Sequence, residues 1–395
     1  MDLKNYIINA SFRIGFTQCR IGSLEPLSQA QHHLEDWINL GLAGKMDYLK
    51  RNPQLRTSPQ LLFPQAKSVI LLSANYYTKP NLRPLGYYGK VANYATGLDY
   101  HQVLPNKVKL LVEQIKTYEP RIENYQCVTD STPLYEIPLG IRHGLGFKGK
   151  NSLIIAPLLK GSYNFSVELF TNIELEPDTV YNGTCGKCFA CGINCPTLAI
   201  STETGIDSNK CISYLTIENK EAIPLTLRPK IKNWVFGCDI CQEICPYNQK
   251  KYETSFPEFK PESGIGHYLN LMEILNIKTN QEFLAKFRHS AISRAKRTGL
   301  IRNSLTVMGN ILANPDNVEY IDKDSVNLEQ GLDSLYQFTL NEHTPMLIEH
   351  SAWALSKHPY GLNYLTKIYD QSSDPESKKI IKSYLLNQLE PNPKV

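Results

Sequence analysis

Cys185-Gly-Lys-Cys188-Phe-Ala-Cys191-Gly-Ile-Asn-Cys195-Pro196 is the first of two cysteine runs around which this chain is organised. The second is Cys211 followed at a distance by Cys238-Asp-Ile-Cys241-Gln-Glu-Ile-Cys245-Pro246. Three thiolates spaced C-x2-C-x2-C can wrap one iron–sulfur cubane, while the fourth, three residues on, points away to a neighbour. The proline after each fourth cysteine turns the chain aside. The second run repeats this pattern, with its first cysteine displaced upstream by an inserted segment.

In two-cluster ferredoxins the fourth cysteine of each run serves the other run's cluster. That rule assigns Cys185, Cys188, Cys191 and Cys245 to one 4Fe–4S cluster, and Cys195, Cys211, Cys238 and Cys241 to a second. Two structural zinc sites are the alternative. Zinc ribbons use paired C-x2-C knuckles with a long spacer, which two C-x2-C…C-P runs fit poorly. Cys19 and Cys127 stand alone in sequence and read as buried apolar residues.

The rest of the chain sets the context. Its 395 residues are enough for two or three domains. The 42% hydrophobic and 20% charged fractions are those of a soluble globular protein. A net charge of +4 and a pI near 8.4 permit a polyanionic partner without requiring one. The N-terminus lacks the pattern of a signal peptide, and apolar runs such as Val69–Leu72 and Leu153–Leu159 are far short of a membrane span. The expectation is a cytoplasmic monomer with no membrane partner. Ten cysteines in a reducing compartment point to metal or redox chemistry rather than disulfides.

An α+β, multidomain layout is expected. Residues 1–180 read as a mixed α/β domain, with strands at Lys67–Tyr77, Ser152–Pro157 and Asn164–Ile173 and a helix over Asp99–Tyr118. Residues 181–255 form the cysteine module, and Lys251–Gly266 reads as a linker. Residues 256–395 read as helical from about 267. One helix has Leu300, Ile301, Leu305, Met308, Ile311 and Leu312 on a single face. Another follows Thr344-Pro345, with Leu347, Ile348, Ala352 and Leu355 inward. Two such units predict a short array of HEAT-like helical repeats.

Gly144-Leu-Gly146-Phe-Lys-Gly149 matches G-x-G-x-x-G, but a helix-like stretch precedes it and a strand follows. A dinucleotide site needs the reverse order, so a Rossmann reading is rejected. Around it lie Thr129-Asp130-Ser131-Thr132-Pro133, Arg142-His143 and Lys148-Gly149-Lys150-Asn151, where glycines alternate with cations and suit an anionic or amide-rich ligand. Lys150 and Asn151 are candidates for holding it. Asp130 is either a general acid or the cap of a helix beginning near Pro133.

The combination VTDSTP, GLGFKGKNSLI, CGKCFACGINCPTLAI, GCDICQEICPYN and RAKRTGLIRNSLTVMGN resembles the epoxyqueuosine reductase family, from about Asp47 to about Pro359. The resemblance implies cobalamin above a two-cluster module. It also implies reduction of the epoxide of epoxyqueuosine, at the tRNA wobble position, to queuosine, at the cost of two electrons and two protons. On it, Asp130 matches the family's proposed proton donor, and Arg56, Tyr94, His101 and Ser213 match stretches lining the cobalamin site. Asp99-Tyr-His101-Gln-Val-Leu104 is D-x-H-x-x-L rather than the D-x-H-x-x-G of many corrinoid methyltransferases, so His101 is not expected to ligate cobalt.

The C-terminal region points to RNA independently. From Phe283 to Pro315 there is no acidic residue, while Lys286, Arg288, Arg294, Lys296, Arg297 and Arg302 all fall inside. Such a run is the footprint of a phosphate backbone. Arg294, Lys296, Arg297 and Arg302 are therefore the expected contacts to a tRNA anticodon stem-loop. Electrons would come from an external donor of flavodoxin or ferredoxin type. A corrinoid reductase of small molecules and a non-catalytic electron carrier are the competing readings. The first has little use for an acid-free basic stretch, and the second leaves about 180 N-terminal residues without a purpose.

Overall fold

The structure is a computed structural model and describes residues 2–80, 86–156, 161–314 and 326–386. It is a mixed α+β protein in two compact units. One comprises Met1–Lys79, Asn93–Cys211 and Asp239–Gly264, and the other Pro80–Ala92, Ile212–Cys238 and Ile265–Val395. The expected contiguous division at 180 and 255 gives way to this one, because the insertion between the cysteine runs packs with the helical part of the chain.

The first unit is built on an antiparallel sheet in the order Gln18–Gly22, Ser68–Asn75, Asn164–Thr171, Tyr125–Val128. Val69 to Leu72 are all fully buried, which explains their unbroken apolar run: both faces of this central strand are covered. Val69 and Leu71 join Phe63, Val128, Leu134, Leu139, Leu145 and Phe170 in one core. The helix Tyr100–Tyr118 buries Val103, Leu104, Val108, Leu111, Val112 and Ile115, a stripe at helical spacing. Asp99 caps it by accepting the His101 N–H at 3.0 Å.

The G-x-G-x-x-G segment is a tight hairpin in which Phe147–Lys148 pairs with Ile154–Ile155. A Cβ on Gly146 would stand 2.3 Å from the Ile155 carbonyl oxygen, so the glycine is there for backbone approach. The expected strand Ser152–Pro157 shrinks to Ile154–Ile155, and Pro157 lies outside the described residues.

In the second unit a small sheet orders Trp234–Phe236, Tyr88–Val91 and Tyr268–Asn270, so a strand precedes the helices expected from 267. The helix Lys296–Ala313 buries every residue from Gly299 to Leu312, not one face. It is surrounded by Ile212–Ile217, Trp234–Phe236, Leu271–Leu275 and Pro345–Leu355. Its buried polar side chains are satisfied by backbone: Asn303 Nδ2 donates to the Thr216 and Val235 carbonyls, and Asn310 Nδ2 to those of Arg228 and Lys232. The last helices, Pro345–Leu355, Pro359–Gln371 and Pro375–Leu386, all begin on proline, whose missing N–H costs nothing in the first turn. Leu347, Ile348, Ala352 and Leu355 point inward as expected.

Candidate active site

Two short helical turns, Ala190–Ile193 and Ile240–Glu243, carry Cys191 and Cys241 and pack together. Their meeting brings sequence-distant thiols into range. Burial raises the pKa of Cys191, and so do Cys185 and Cys245 beside it. Burial likewise raises that of Cys245, which has Cys185 and Cys188 as neighbours. Cys241 is raised most, by burial and then by Cys211. Cys195 Sγ accepts the Ala199 N–H at 3.4 Å. Cys238 closes the segment Ile212–Cys238 of the second unit. Half-buried thiols facing one another resist ionisation by themselves, and iron offsets this by taking thiolate as its ligand. The donor set therefore fits iron–sulfur clusters.

Lys150 and Asn151 both contact these loops. Lys150 Nζ donates to the carbonyls of Gly186 and Cys188, both at 2.9 Å. Asn151 is buried, and its side chain hydrogen-bonds the Cys241 thiol. Their place beside the G-x-G-x-x-G hairpin puts them against the cysteines, which sequence spacing does not reveal.

Asp130 lies elsewhere in the first unit, on a cavity of about 240 Å³ lined also by Tyr94, Tyr100, Glu136, Phe165 and Ser166. It follows the strand Tyr125–Val128 with φ +52, a conformation few non-glycine residues hold. Its Oδ2 accepts the Tyr100 hydroxyl at 2.8 Å, and its N–H donates to Glu136 Oε1 at 2.7 Å. The helix after it starts only at Glu136 and has no side-chain cap, so Asp130 is not a cap. Its side chain is 73% exposed. Burial, then the nearby Asp130 carboxylate, keeps the Tyr100 phenol neutral and donating.

His101 stacks on Tyr100 with ring centres 4.0 Å apart. Its Nδ1 stands 2.7 Å from Asp99 Oδ1, and its Nε2 is 3.9 Å from Asp130 Oδ2. Tyr94 meets Tyr100 edge-on at 6.2 Å. Arg56 Nη2 donates to the Tyr48 carbonyl at 2.7 Å, while its Nε is buried without a partner. The aromatic walls and the polar lining of Gln18, Ser162 and Asn164 fit a flat, amide-bearing cofactor, whereas Arg56 is not among the residues lining this cavity. Ser213, in the second unit, sits in the first turn of the helix Ile212–Ile217.

The basic stretch changes most on folding. Arg302 is fully buried: it donates to the carbonyls of Asn219, Glu221 and Leu215, all at 2.7 Å, and burial lowers its pKa to about 10. It holds the unit together and cannot meet a phosphate. Arg294 pairs with Glu218 at 2.6 Å, Lys286 with Glu273 at 2.7 Å, and Arg297 with Glu342 at 3.9 Å. The acid-free window is thus partly neutralised by carboxylates from outside it. Arg288 and Lys296 are exposed.

Sequence reasoning passed over Tyr100, Glu136 and Glu168. Glu168 carried a signal, since an acidic residue inside the apolar strand Asn164–Thr171 is out of place.

Residues 184–248 match the family model of a 4Fe–4S double cluster binding domain, and residues 56–131 match the model described as epoxyqueuosine reductase QueG, DUF1730. Epoxyqueuosine reductase of Leadbetterella byssophila is 38% identical over 302 residues, 76% of this chain and 97% of that protein. The chain belongs to the epoxyqueuosine reductase family. It is an oxidoreductase that reduces epoxyqueuosine to queuosine in tRNA, and family membership implies cobalamin beside the two 4Fe–4S clusters. A crystal structure of an epoxyqueuosine reductase with an epoxyqueuosine-modified tRNA-Tyr stem loop is similar at TM-score 0.84 and 27% identity, covering 97% of this chain and 98% of that one. The Bacillus subtilis family member, solved with its catalytic aspartate loop swung out of the active site, is similar at TM-score 0.82 and 27% identity, with the same coverage. Among the described residues no helix is long and apolar enough to cross a membrane.

Proposed function

We propose that the epoxide is reduced at the cavity bearing Asp130, with Asp130 as the proton donor. The observation that carries this is the Asp130 carboxyl, held at the cavity wall by the neutral Tyr100 hydroxyl on a strained loop residue. By the family resemblance Arg56, Tyr94 and His101 would hold cobalamin, Tyr94 from the wall of this cavity. By spacing and neighbourhood Cys185, Cys188, Cys191 and Cys245 hold one cluster, and Cys195, Cys211, Cys238 and Cys241 the other. When bound, the clusters supply electrons singly and cobalamin the cobalt at which they meet the substrate. Tyr100 orients the Asp130 carboxyl, which carries the proton for the epoxide oxygen.

The electrons come from an external donor of flavodoxin or ferredoxin type, and the chain works as a cytoplasmic monomer on the anticodon stem-loop. Helix stacking supports a HEAT-like array as the RNA-holding part: Lys296–Ala313 packs on Pro345–Leu355, that on Pro375–Leu386, and Leu328–Asn341 on Pro359–Gln371. The test is Asp130→Asn. It should keep iron content and stem-loop binding yet lose turnover by roughly 10²-fold or more. Wild-type single-turnover rates in that variant would remove Asp130 from the chemistry.

A further inference from the structure

Behind Asp130 lie two carboxyls to which the reaction so far gives no task. Glu168 faces Val128 across the sheet and is 0% exposed. The Ser166 hydroxyl donates to its Oε1 at 2.5 Å, while its Oε2 is buried with no hydrogen-bond partner. Glu136 holds the Asp130 N–H and lines the same cavity as Asp130.

Burial, then the charge of Glu168, raises the Glu136 pKa well above the carboxylate range. Glu168 is pushed up to about 8, by burial and by Asp130, against the opposing Ser166 bond. Two carboxyls in one field, Glu168 fully buried and Glu136 half-buried, do not both ionise readily, so the pair favours holding a proton. The groups around it offer no compensating charge. Asp130 comes from the loop and Cys127 from the strand before it; Cys127 is itself pushed up to about 12, by burial and then by the two glutamates. Tyr100 and His101 reach only Asp130, and the neighbouring central strand presents Leu71 opposite Glu168. Among the described residues no Lys or Arg bonds either carboxyl.

The reaction has a demand to match. Converting an epoxide to an alkene breaks both C–O bonds, consumes two electrons and two protons, and releases the oxygen as one water. The clusters and cobalamin account for the electrons. One Asp130 carboxyl carries one proton, and the second has to reach it while substrate fills the cavity. We propose that Glu136 and Glu168 store one proton beside Asp130 and return it to the Asp130 carboxylate, so that a single aspartate delivers both protons of a turnover. The proposal rests on the reading of Asp130 as proton donor.

The experiment is single-turnover reduction of an epoxyqueuosine-bearing stem-loop by the fully reconstituted enzyme and its Glu168→Gln and Glu136→Gln variants, followed over pH. The wild-type rate should hold to about pH 8 and fall above it. Glu168→Gln should lose roughly tenfold or more at neutral pH, and small diffusible acids such as acetic acid should restore the rate in proportion to their concentration. A purely structural role would lower the melting temperature and leave no dependence on buffer acid. Wild-type pH profiles in both variants would overturn the proposal. An inactive Asp130→Asn beside unaltered glutamate variants would leave the donor reading standing without the reservoir, whereas an active Asp130→Asn would remove both. Should neither glutamate variant fold, difference infrared spectra of the wild-type protein decide. A protonated carboxyl band fading with a midpoint near pH 8 is expected, and no carboxyl titrating above the ordinary range would sink the idea.

Discussion

Glu168 shows what one misplaced charge costs and what it reports. A carboxyl at the centre of a sheet is tolerated because it keeps its proton, and that couples folding to pH. In the unfolded chain it ionises near the ordinary value of 4.5, and in the fold only near 8. Between those values the folded state holds the extra proton, so this group's contribution to stability is complete below about 4.5 and is lost as pH rises through about 8. We therefore expect the melting temperature of wild type, relative to Glu168→Gln, to fall progressively across that window. Thermal unfolding of both proteins over pH checks it, and parallel curves would show that Glu168 is ionised in the fold.

At the scale of elements, the helix Lys296–Ala313 and the paired cysteine turns carry different burdens. Arg302 ties that helix to three carbonyls, of Leu215, Asn219 and Glu221. Arg302→Met would take this donor from the Leu215 and Asn219 carbonyls, at about 1–3 kcal/mol each, while the exposed Glu221 carbonyl keeps the Asn219 Nδ2. We expect a loss of about 2 kcal/mol or more in urea unfolding. A variant as stable as wild type would mean that those carbonyls find water. The cysteine turns meet so that Cys245 joins the first run. With both clusters in place iron should approach about eight per chain. Cys245→Ser should lose the cluster of Cys185, Cys188 and Cys191 and keep about four iron. An unchanged iron content after anaerobic reconstitution would reassign the ligand set.

For the whole molecule, the question is where RNA finds positive charge. Lys286, Arg294 and Arg297 pair with glutamates, and Arg302 is buried, which leaves Arg288 and Lys296 as exposed cations of the basic stretch. Changing both to alanine should weaken stem-loop binding at low salt. It should flatten the slope of log K against log salt by roughly 1.5, since each phosphate contact contributes about 0.7–0.9. Iron content should not change. A salt titration with unaltered slope would place the RNA on other surfaces.

The sequence alone settled the features that depend on spacing. The thiolate runs, the covered strand at Val69–Leu72, the helix over Asp99–Tyr118 and the inverted order around Gly144–Gly149 are all local patterns, and their chemistry is written within a few residues. Tertiary structure decided what depends on neighbours far away in the chain. It put Lys150 and Asn151 on the cysteine loops, turned Arg302 from a phosphate ligand into a core residue, and gave the basic window its glutamates. It also set Glu136 and Glu168 behind Asp130. Charge patterning along the chain counts only residues close in sequence, whereas a carboxylate acts through space, and folding chooses which charges become neighbours.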